Sequence, residues 1–174
     1  MKGVKIGLVG AGNIGQRHIM AIDYLEEAQL IAFADPSEGA HQQARARDIP
    51  CYNSAQEMLE KEALDAVIIA TPTARHFDDV SLCISAGCKH ILVEKPIAAS
   101  DEEAATITYQ AEQAGCSVLV AHQRRYYPCA AKAKELIETG AIGTLIGVTG
   151  QWNCRKDAPY YAPEWRRKTE AGPI

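Results

Sequence analysis

The sequence has little of what marks several large classes of protein. It has no excess of positive charge, since 18 Lys and Arg residues face 22 Asp and Glu residues and the formal net charge is −4. A bulk electrostatic attraction for nucleic acid is therefore not expected. No apolar stretch approaches the roughly 18 residues of a membrane-spanning helix, and the short apolar run near the N-terminus breaks into a glycine turn, unlike a signal peptide. We predict neither a nucleic-acid nor a membrane partner.

The cysteines form no pattern typical of a metal site or a disulfide framework. There are six, namely Cys51, Cys83, Cys88, Cys116, Cys129 and Cys154. None forms a C-x-x-C pair, and no histidine completes a metal-ligand cluster with them. Several lie in apolar stretches, as small buried thiols do. We expect no bound metal and a reducing, cytoplasmic location.

An apolar stretch, residues 4–9, leads into three glycines with the spacing G-x-G-x-x-G. Gly10 permits a sharp turn out of a strand, Gly12 leaves room for a pyrophosphate, and Gly15 allows close packing of helix and strand. The N–H groups that open the following helix then face the phosphates, aided by the helix dipole. The spacing predicts a dinucleotide site built by Gly10, Ala11, Gly12, Asn13 and Ile14.

A second apolar run, residues 30–34, ends at Asp35. This carboxylate lies about 20 residues after Gly15, where a dinucleotide fold has the acid that binds the adenosine ribose hydroxyls. Its charge would repel the 2′-phosphate of NADP, which predicts a preference for NAD. The alternative is a glycine turn followed by an unrelated acid.

Apolar runs and helical patterns alternate as far as about residue 122. The pattern predicts strands over 4–9, 30–34, 66–70, 90–94 and 117–121, with helices over 14–25, 38–47, 54–61 and 100–113 and another that ends at Gly87. Two S-x-x-E patterns, at Ser54 and Ser100, predict capping boxes. The alternation predicts an α/β fold with a doubly wound parallel sheet of Rossmann type, which forms a domain over residues 1–122.

The alternation of strands and helices ends at about residue 122. The sequence predicts a helix over 128–138 and a strand over 144–152. One isolated strand exposes unpaired backbone groups. We therefore expect residues 123–174 to be the start of a second, incomplete α+β domain, ill-packed or paired with another copy.

In an open α/β sheet the ligand lies beyond the carboxyl ends of the strands. Lys95, directly after the strand predicted over 90–94, is the strongest candidate for chemistry. Hydride transfer needs an acid/base for a hydroxyl proton, and a lysine can serve where partial burial and a nearby positive charge favour its neutral form. Alternatively, Lys95 only covers a strand end. Glu94 either orients it or faces solvent, and His76 either touches the cofactor or is a surface histidine.

Together these motifs resemble those of the Gfo/Idh/MocA family, named for glucose–fructose oxidoreductase, inositol dehydrogenase and a rhizopine catabolism protein. The matching pieces are residues 9–15, residues 70–73 with His76, Glu94-Lys95-Pro96, residues 121–128 and Trp165-Arg166. The glycine turn is generic, whereas the E-K-P tripeptide at this distance is specific. The resemblance covers essentially the whole chain.

The resemblance implies an NAD-dependent oxidoreductase, with NADP as the alternative cofactor, that acts on a sugar, polyol or dihydrodiol. It implies that Lys95 is the catalytic acid/base and that the peptide before Pro96 can be cis. It implies that residues 123–174 can mediate a homo-oligomer, and that the chain is truncated in its second domain. The residues implied to line the cofactor are Thr71, Pro72, Thr73, His76, Glu94, Lys95, Gln123, Trp165 and Arg166, and those implied at the substrate are Lys95, Arg124 and Tyr126.

Two other function classes stay open. A nucleotide-binding module without catalysis is favoured by the short second domain. A methyltransferase also uses a glycine turn and a ribose-binding acid, but the E-K-P tripeptide disfavours that class.

Overall fold

A computed structural model describes residues 3–162 of the chain. These residues divide into two compact units, 3–121 and 122–162. The strands, all in the first unit, are β1 (Val4–Val9), β2 (Ala28–Ala34), β3 (Cys51–Tyr52), β4 (Ala66–Ile69), β5 (His90–Val93) and β6 (Ser117–Val120). Its helices are α1 (Asn13–Asp23), α2 (Glu38–Ala46), α3 (Ala55–Lys61), α4 (His76–Ser85) and α5 (Asp101–Ala114), and the second unit contains α6 (Pro128–Glu138).

The first unit is built on one parallel sheet with the strand order β3-β2-β1-β4-β5-β6. This order confirms the predicted doubly wound α/β fold of Rossmann type. Within the first unit, the predicted strands and helices all form, with bounds that differ by a few residues. The two-residue strand β3, which pairs with Phe33 and Ala34, was not predicted because it is too short to show a period.

Helices pack on both faces of the sheet, which explains why its strands are almost wholly apolar, although the edge strand β6 exposes a large apolar side chain, Leu119. On one face, Leu8 and Phe33 pack with Ile19 of α1 and Ala44 of α2. The other face packs against α3, α4 and α5, which contribute Met58, Val80 and Ile107 among others. The connections after β1 and after β4 therefore leave the sheet toward opposite faces.

Local signals begin the helices as predicted. The Ser54 hydroxyl accepts a hydrogen bond from the N–H of Glu57, and the Ser100 hydroxyl accepts one from the N–H of Glu103, each at 3.2 Å. The Glu103 carboxylate accepts in turn from the N–H of Ala99 at 2.9 Å. These hydrogen bonds satisfy N–H groups that the first helical turn leaves without a partner.

The second unit contains α6 with the predicted bounds, but the strand predicted over residues 144–152 is wrong. These residues form no regular structure, and the Ile146 side chain is 98% exposed. No other segment of the unit, within the part the structure describes, runs alongside them to accept and donate ladder hydrogen bonds. An extended run without such a partner does not form a strand.

Among residues 3–162, no helix is long and apolar enough to cross a membrane. Over the same residues, no group of three or more His, Cys, Asp or Glu side chains is arranged to hold a metal ion.

Candidate functional site

The first loop at the carboxyl edge of the sheet is the glycine turn between β1 and α1. Gly10 has a φ of +88°, a backbone conformation that favours glycine. A Cβ on Gly15 would collide with the carbonyl oxygen of Gly10, so α1 can approach the turn this closely only with glycine there. Gly12 begins α1 without a side-chain cap, and Gly12, Asn13 and Ile14 are exposed. The helix start therefore presents its N–H groups to solvent, as an anion site requires.

Asp35 directly follows β2 and is hydrogen-bonded to this turn. Its Oδ2 accepts a hydrogen bond from the N–H of Ala11, and its Oδ1 accepts one from the N–H of Ser37, each at 2.8 Å. The two bonds orient the carboxylate and place a negative charge directly beside the glycine turn. Asp35 therefore lies beside the glycine turn, as the sequence predicts.

His76 joins two loops from inside the protein. The imidazole is only 1% exposed; its Nδ1 lies 2.7 Å from the carbonyl oxygen of Pro96 and its Nε2 lies 2.9 Å from that of Thr71. A surface location for His76 is therefore wrong. Because the ring contacts the backbone of the loop after β4 and of the loop after β5, it holds the two loops together.

Asp79, a residue that sequence reasoning missed, supports the same region. Its buried carboxylate accepts hydrogen bonds at 2.8 Å from the hydroxyl of Thr71 and from the guanidinium of Arg75. This pairing raises the pKa of Arg75. The i,i+4 spacing of Arg75 and Asp79 was the one local signal for it. The bond fixes the Thr71 side chain at the end of β4.

Glu94, directly after β5, contacts both His18 and Lys95, and sequence reasoning missed the contact with His18. Its Oε1 lies 3.0 Å from Nε2 of His18 on α1, and its Oε2 accepts from the N–H of Lys95 at 3.2 Å. Burial alone would raise the pKa of Glu94, but the hydrogen bond and charge of His18, together with Lys95, bring it below its usual value. Glu94 therefore faces the protein and orients the backbone at Lys95.

Lys95 extends from this edge into solvent, and the peptide between Lys95 and Pro96 is cis. Within residues 3–162 its ammonium forms no hydrogen bond and no ion pair. The partial burial expected for this side chain is not provided by these residues. Its amine is therefore available to a ligand.

The remaining predicted site residues are distributed as follows. Pro72 is exposed, and the buried Thr73 begins a short 3-10 helix, Thr73–Arg75. Another 3-10 helix, in the second unit, contains the exposed residues Gln123, Arg124 and Tyr126. Trp165 and Arg166 lie outside the described residues. The first unit thus brings together the glycine turn, Asp35, Thr71, His76, Glu94 and Lys95 at one edge of its sheet.

Comparison with known proteins identifies the family of this chain. The model of the oxidoreductase family GFO_IDH_MocA, described as an NAD-binding Rossmann fold, matches residues 4–122. The chain belongs to the Gfo/Idh/MocA family. This membership confirms the resemblance seen in the motifs and excludes a methyltransferase. The cofactor of the family is the predicted nicotinamide dinucleotide.

Several Gfo/Idh/MocA proteins are similar over most of this chain. The rhizopine catabolism protein MocA of Rhizobium meliloti is 33% identical over 150 residues, which are 86% of this chain and 47% of that protein. The scyllo-inositol 2-dehydrogenase (NAD(+)) of Bacillus subtilis is 35% identical over 150 residues, with coverages of 84% and 44%. The crystal structure of the WlbA dehydrogenase from Bordetella pertussis, in complex with NADH and UDP-GlcNAcA, aligns with a TM-score of 0.76 at 30% identity and covers 82% of this chain and 44% of that one. The chain thus spans a little under half the length of these relatives.

Proposed function

We propose that this protein is an NAD(P)-dependent oxidoreductase that transfers hydride between a nicotinamide and a hydroxyl or carbonyl carbon of a sugar, polyol or dihydrodiol. One observation carries the proposal: the Lys95 amine has no partner among the described residues and lies on the same sheet edge as the glycine turn and Asp35. The dehydrogenase relatives named above support the reaction class. The inositol and the nucleotide sugar in their names support the substrate class.

The dinucleotide would lie across the carboxyl edge, with each part held by groups already described. The exposed N–H groups at residues 12–14 would bind the pyrophosphate. Asp35, oriented by Ala11 and Ser37, would accept hydrogen bonds from the adenosine ribose. We assign the further contacts of the nicotinamide half to Thr71, Pro72, Glu94, Gln123, Trp165 and Arg166, whereas the buried Thr73 and His76 would support these loops from inside the protein.

Lys95 would move the proton. The bound nicotinamide supplies the hydride acceptor or donor. During oxidation the neutral Lys95 amine takes the proton of the substrate hydroxyl as the carbon gives up hydride, and during reduction the Lys95 ammonium returns it. Glu94 supports this role by binding the Lys95 N–H. Arg124 and Tyr126 are assigned to the substrate.

The test of this role compares two lysines that lie at opposite ends of one strand, β5. Lys95 follows β5, whereas Lys89 precedes it and donates to the carbonyl of Ala114 at 2.8 Å, at the other end of the sheet. With NAD⁺ and scyllo-inositol or a sugar, Lys95→Ala should lower turnover by about 10²–10⁴-fold. Affinity for NADH should change far less, and Lys89→Ala should change neither. Wild-type turnover in Lys95→Ala, with the chemical step limiting, would make Lys95 structural.

Cofactor choice tests Asp35. The wild-type chain should bind NADH at least about tenfold more tightly than NADPH, because the 2′-phosphate meets a fixed carboxylate. Asp35→Ser should relax this preference. Asp35→Asn keeps an oxygen for the Ala11 N–H but loses the charge, so it should relax the preference while leaving the turn intact. Equal affinities of the wild-type chain by calorimetry would contradict the prediction.

A second candidate is dinucleotide binding without catalysis. The described part of the second unit favours it, because residues 122–162 bury no side chain. We propose that residues 123–174 begin a substrate- and subunit-contacting domain. Tight NADH binding without turnover of any sugar, polyol or dihydrodiol would decide for the second candidate. Sedimentation of the chain would show whether this region forms a homo-oligomer.

A further inference from the structure

Two consecutive helices end in the same way at the edge of the sheet opposite to the candidate site. α4 is followed by Gly87 and α5 by Gly115, with φ of +85° and +58°. In each case the next residue is a cysteine that donates its N–H to the carbonyl five residues earlier: Cys88 to Cys83 at 3.0 Å, and Cys116 to Ala111 at 2.9 Å. This is the Schellman motif, which places the residue after the glycine against the last turn of the helix.

The first of these motifs places two cysteine side chains together. Cys83, in the last turn of α4, is fully buried, and Cys88 packs against the apolar cluster that contains it. The two residues occupy the Schellman positions whose side chains commonly meet. Cys88 is half-buried, so a small solute can reach it. The parallel pairing of β5 with β6 brings Cys116 to the same place, since the N–H of Ser117 donates to the carbonyl of Lys89 at 2.8 Å.

The two thiols differ in their pKa. The neighbouring Cys83 thiol lowers the pKa of Cys88 to about 7, although burial opposes this. The same proximity, together with burial and the charge of Asp79, raises the pKa of Cys83. Burial raises the pKa of Cys116, and Lys89 opposes the rise. Cys88 is therefore the more readily deprotonated of the two thiols.

We propose that Cys88 and Cys83 form a thiol oxidation site, in which Cys88 reacts with hydrogen peroxide and Cys83 resolves the product to a disulfide. The Cys88 thiolate attacks the peroxide oxygen, the O–O bond breaks, and a sulfenic acid and water form after uptake of a proton. Cys83 then loses its proton and attacks the Cys88 sulfur, which releases the hydroxyl as a second water. Two electrons pass from the sulfurs to the peroxide.

The position of this site separates it from the proposed hydride transfer. The pair precedes β5, whereas Glu94 and Lys95 follow the same strand. Cys51 has a different environment, because its thiol donates to the carbonyl of Asp35 and burial raises its pKa. The contact with a second thiol, together with access from solvent, distinguishes Cys88.

The products can be read directly from a tryptic digest. Residues 76–89 form one tryptic peptide that contains both Cys83 and Cys88, whereas Cys116 lies in the peptide 90–124. The whole chain carrying Cys129→Ser and Cys154→Ser would be treated with hydrogen peroxide at neutral pH, denatured and alkylated with N-ethylmaleimide. We expect peptide 76–89 to appear lighter by two hydrogen atoms and without the label. A cross-link between the two peptides, or overoxidation of Cys88 without a disulfide, would overturn the pairing.

Variants of Cys83 separate the two roles. In the folded chain, labelling of Cys88 by N-ethylmaleimide should have a midpoint at about pH 7, which Cys83→Ala should move toward the ordinary thiol value of about 8.5. Cys83→Ser keeps a donor, so the midpoint should stay low while the disulfide is lost and a dimedone-reactive sulfenic acid accumulates. Cys116→Ala is the control and should alter neither result. A midpoint that is the same in Cys83→Ala and wild type would overturn the assignment.

Discussion

The polar side chains at the carboxyl edge of the sheet are held mainly by the backbone of neighbouring loops. Asp35 accepts from the turn after β1, His76 contacts the loops after β4 and β5, and Glu94 accepts from the peptide N–H that follows it. The turn after β1 is thus positioned by Asp35, and the loops after β4 and β5 are held together by His76. Such cross-support lowers the cost of ordering the loops when a ligand binds.

Gly12 allows a test of this edge that does not disturb the fold. No atom lies within 4 Å of the position that a Cβ on Gly12 would occupy. Gly12→Ala should therefore leave the melting temperature nearly unchanged, while the methyl group blocks the approach of a pyrophosphate and weakens NADH binding by about tenfold or more. Gly39→Ala, in α2, has equally open surroundings and should leave NADH binding unchanged. Undiminished NADH affinity in Gly12→Ala would place the phosphates elsewhere.

The sequence predicts some of these residues and not others, for a physical reason. The glycines and Asp35 are recognisable because the turn and the ribose acid have a fixed spacing along the chain. His18 and Glu94 are 76 residues apart, and no local pattern connects them. Likewise, the burial of His76 depends on carbonyl groups from two loops that meet only in the folded sheet. The supporting partners of the site therefore required the structure.

The helices were predicted more accurately than the strand expected over residues 144–152, outside the parallel sheet. A capping box is a short-range signal, and α3 and α5 begin where Ser54 and Ser100 predict. A strand depends on a partner supplied by another part of the chain. The parallel strands have such partners, whereas residues 144–152 have none among the described residues of their unit. Their apolar pattern alone could not show this.

The cap of α5 gives a measurable stability change. Ser100→Ala removes the hydroxyl that binds the N–H of Glu103 and should lower the free energy of unfolding by about 1 kcal/mol. Ser85→Ala, at the exposed end of α4, removes a hydroxyl outside any cap and should change it by less than about 0.5 kcal/mol. Urea titrations followed by circular dichroism would compare them. An equal loss in both variants would mean that the cap does not stabilise α5.

For the molecule as a whole, the described core is confined to the first unit. The buried apolar side chains run from Leu8 to Ala121 and form two clusters on the two faces of one sheet. A chain of residues 1–122 should therefore unfold cooperatively and still bind NADH, but more weakly than the 174-residue chain because it lacks the contacts assigned to Gln123, Trp165 and Arg166. Calorimetry of both chains would check this. A 1–122 chain that fails to fold would show that later residues supply part of the core.

The strand order places β1 beside β4 at the centre of the sheet, with α1 packed on one face and α4 on the other. The cleft between the two departing loops therefore follows from the path of the backbone and would exist with many different side chains lining it. An accumulation of substitutions can then change what binds in the cleft without first having to create it. Proteins with this fold can therefore acquire new ligands without a change in their backbone framework.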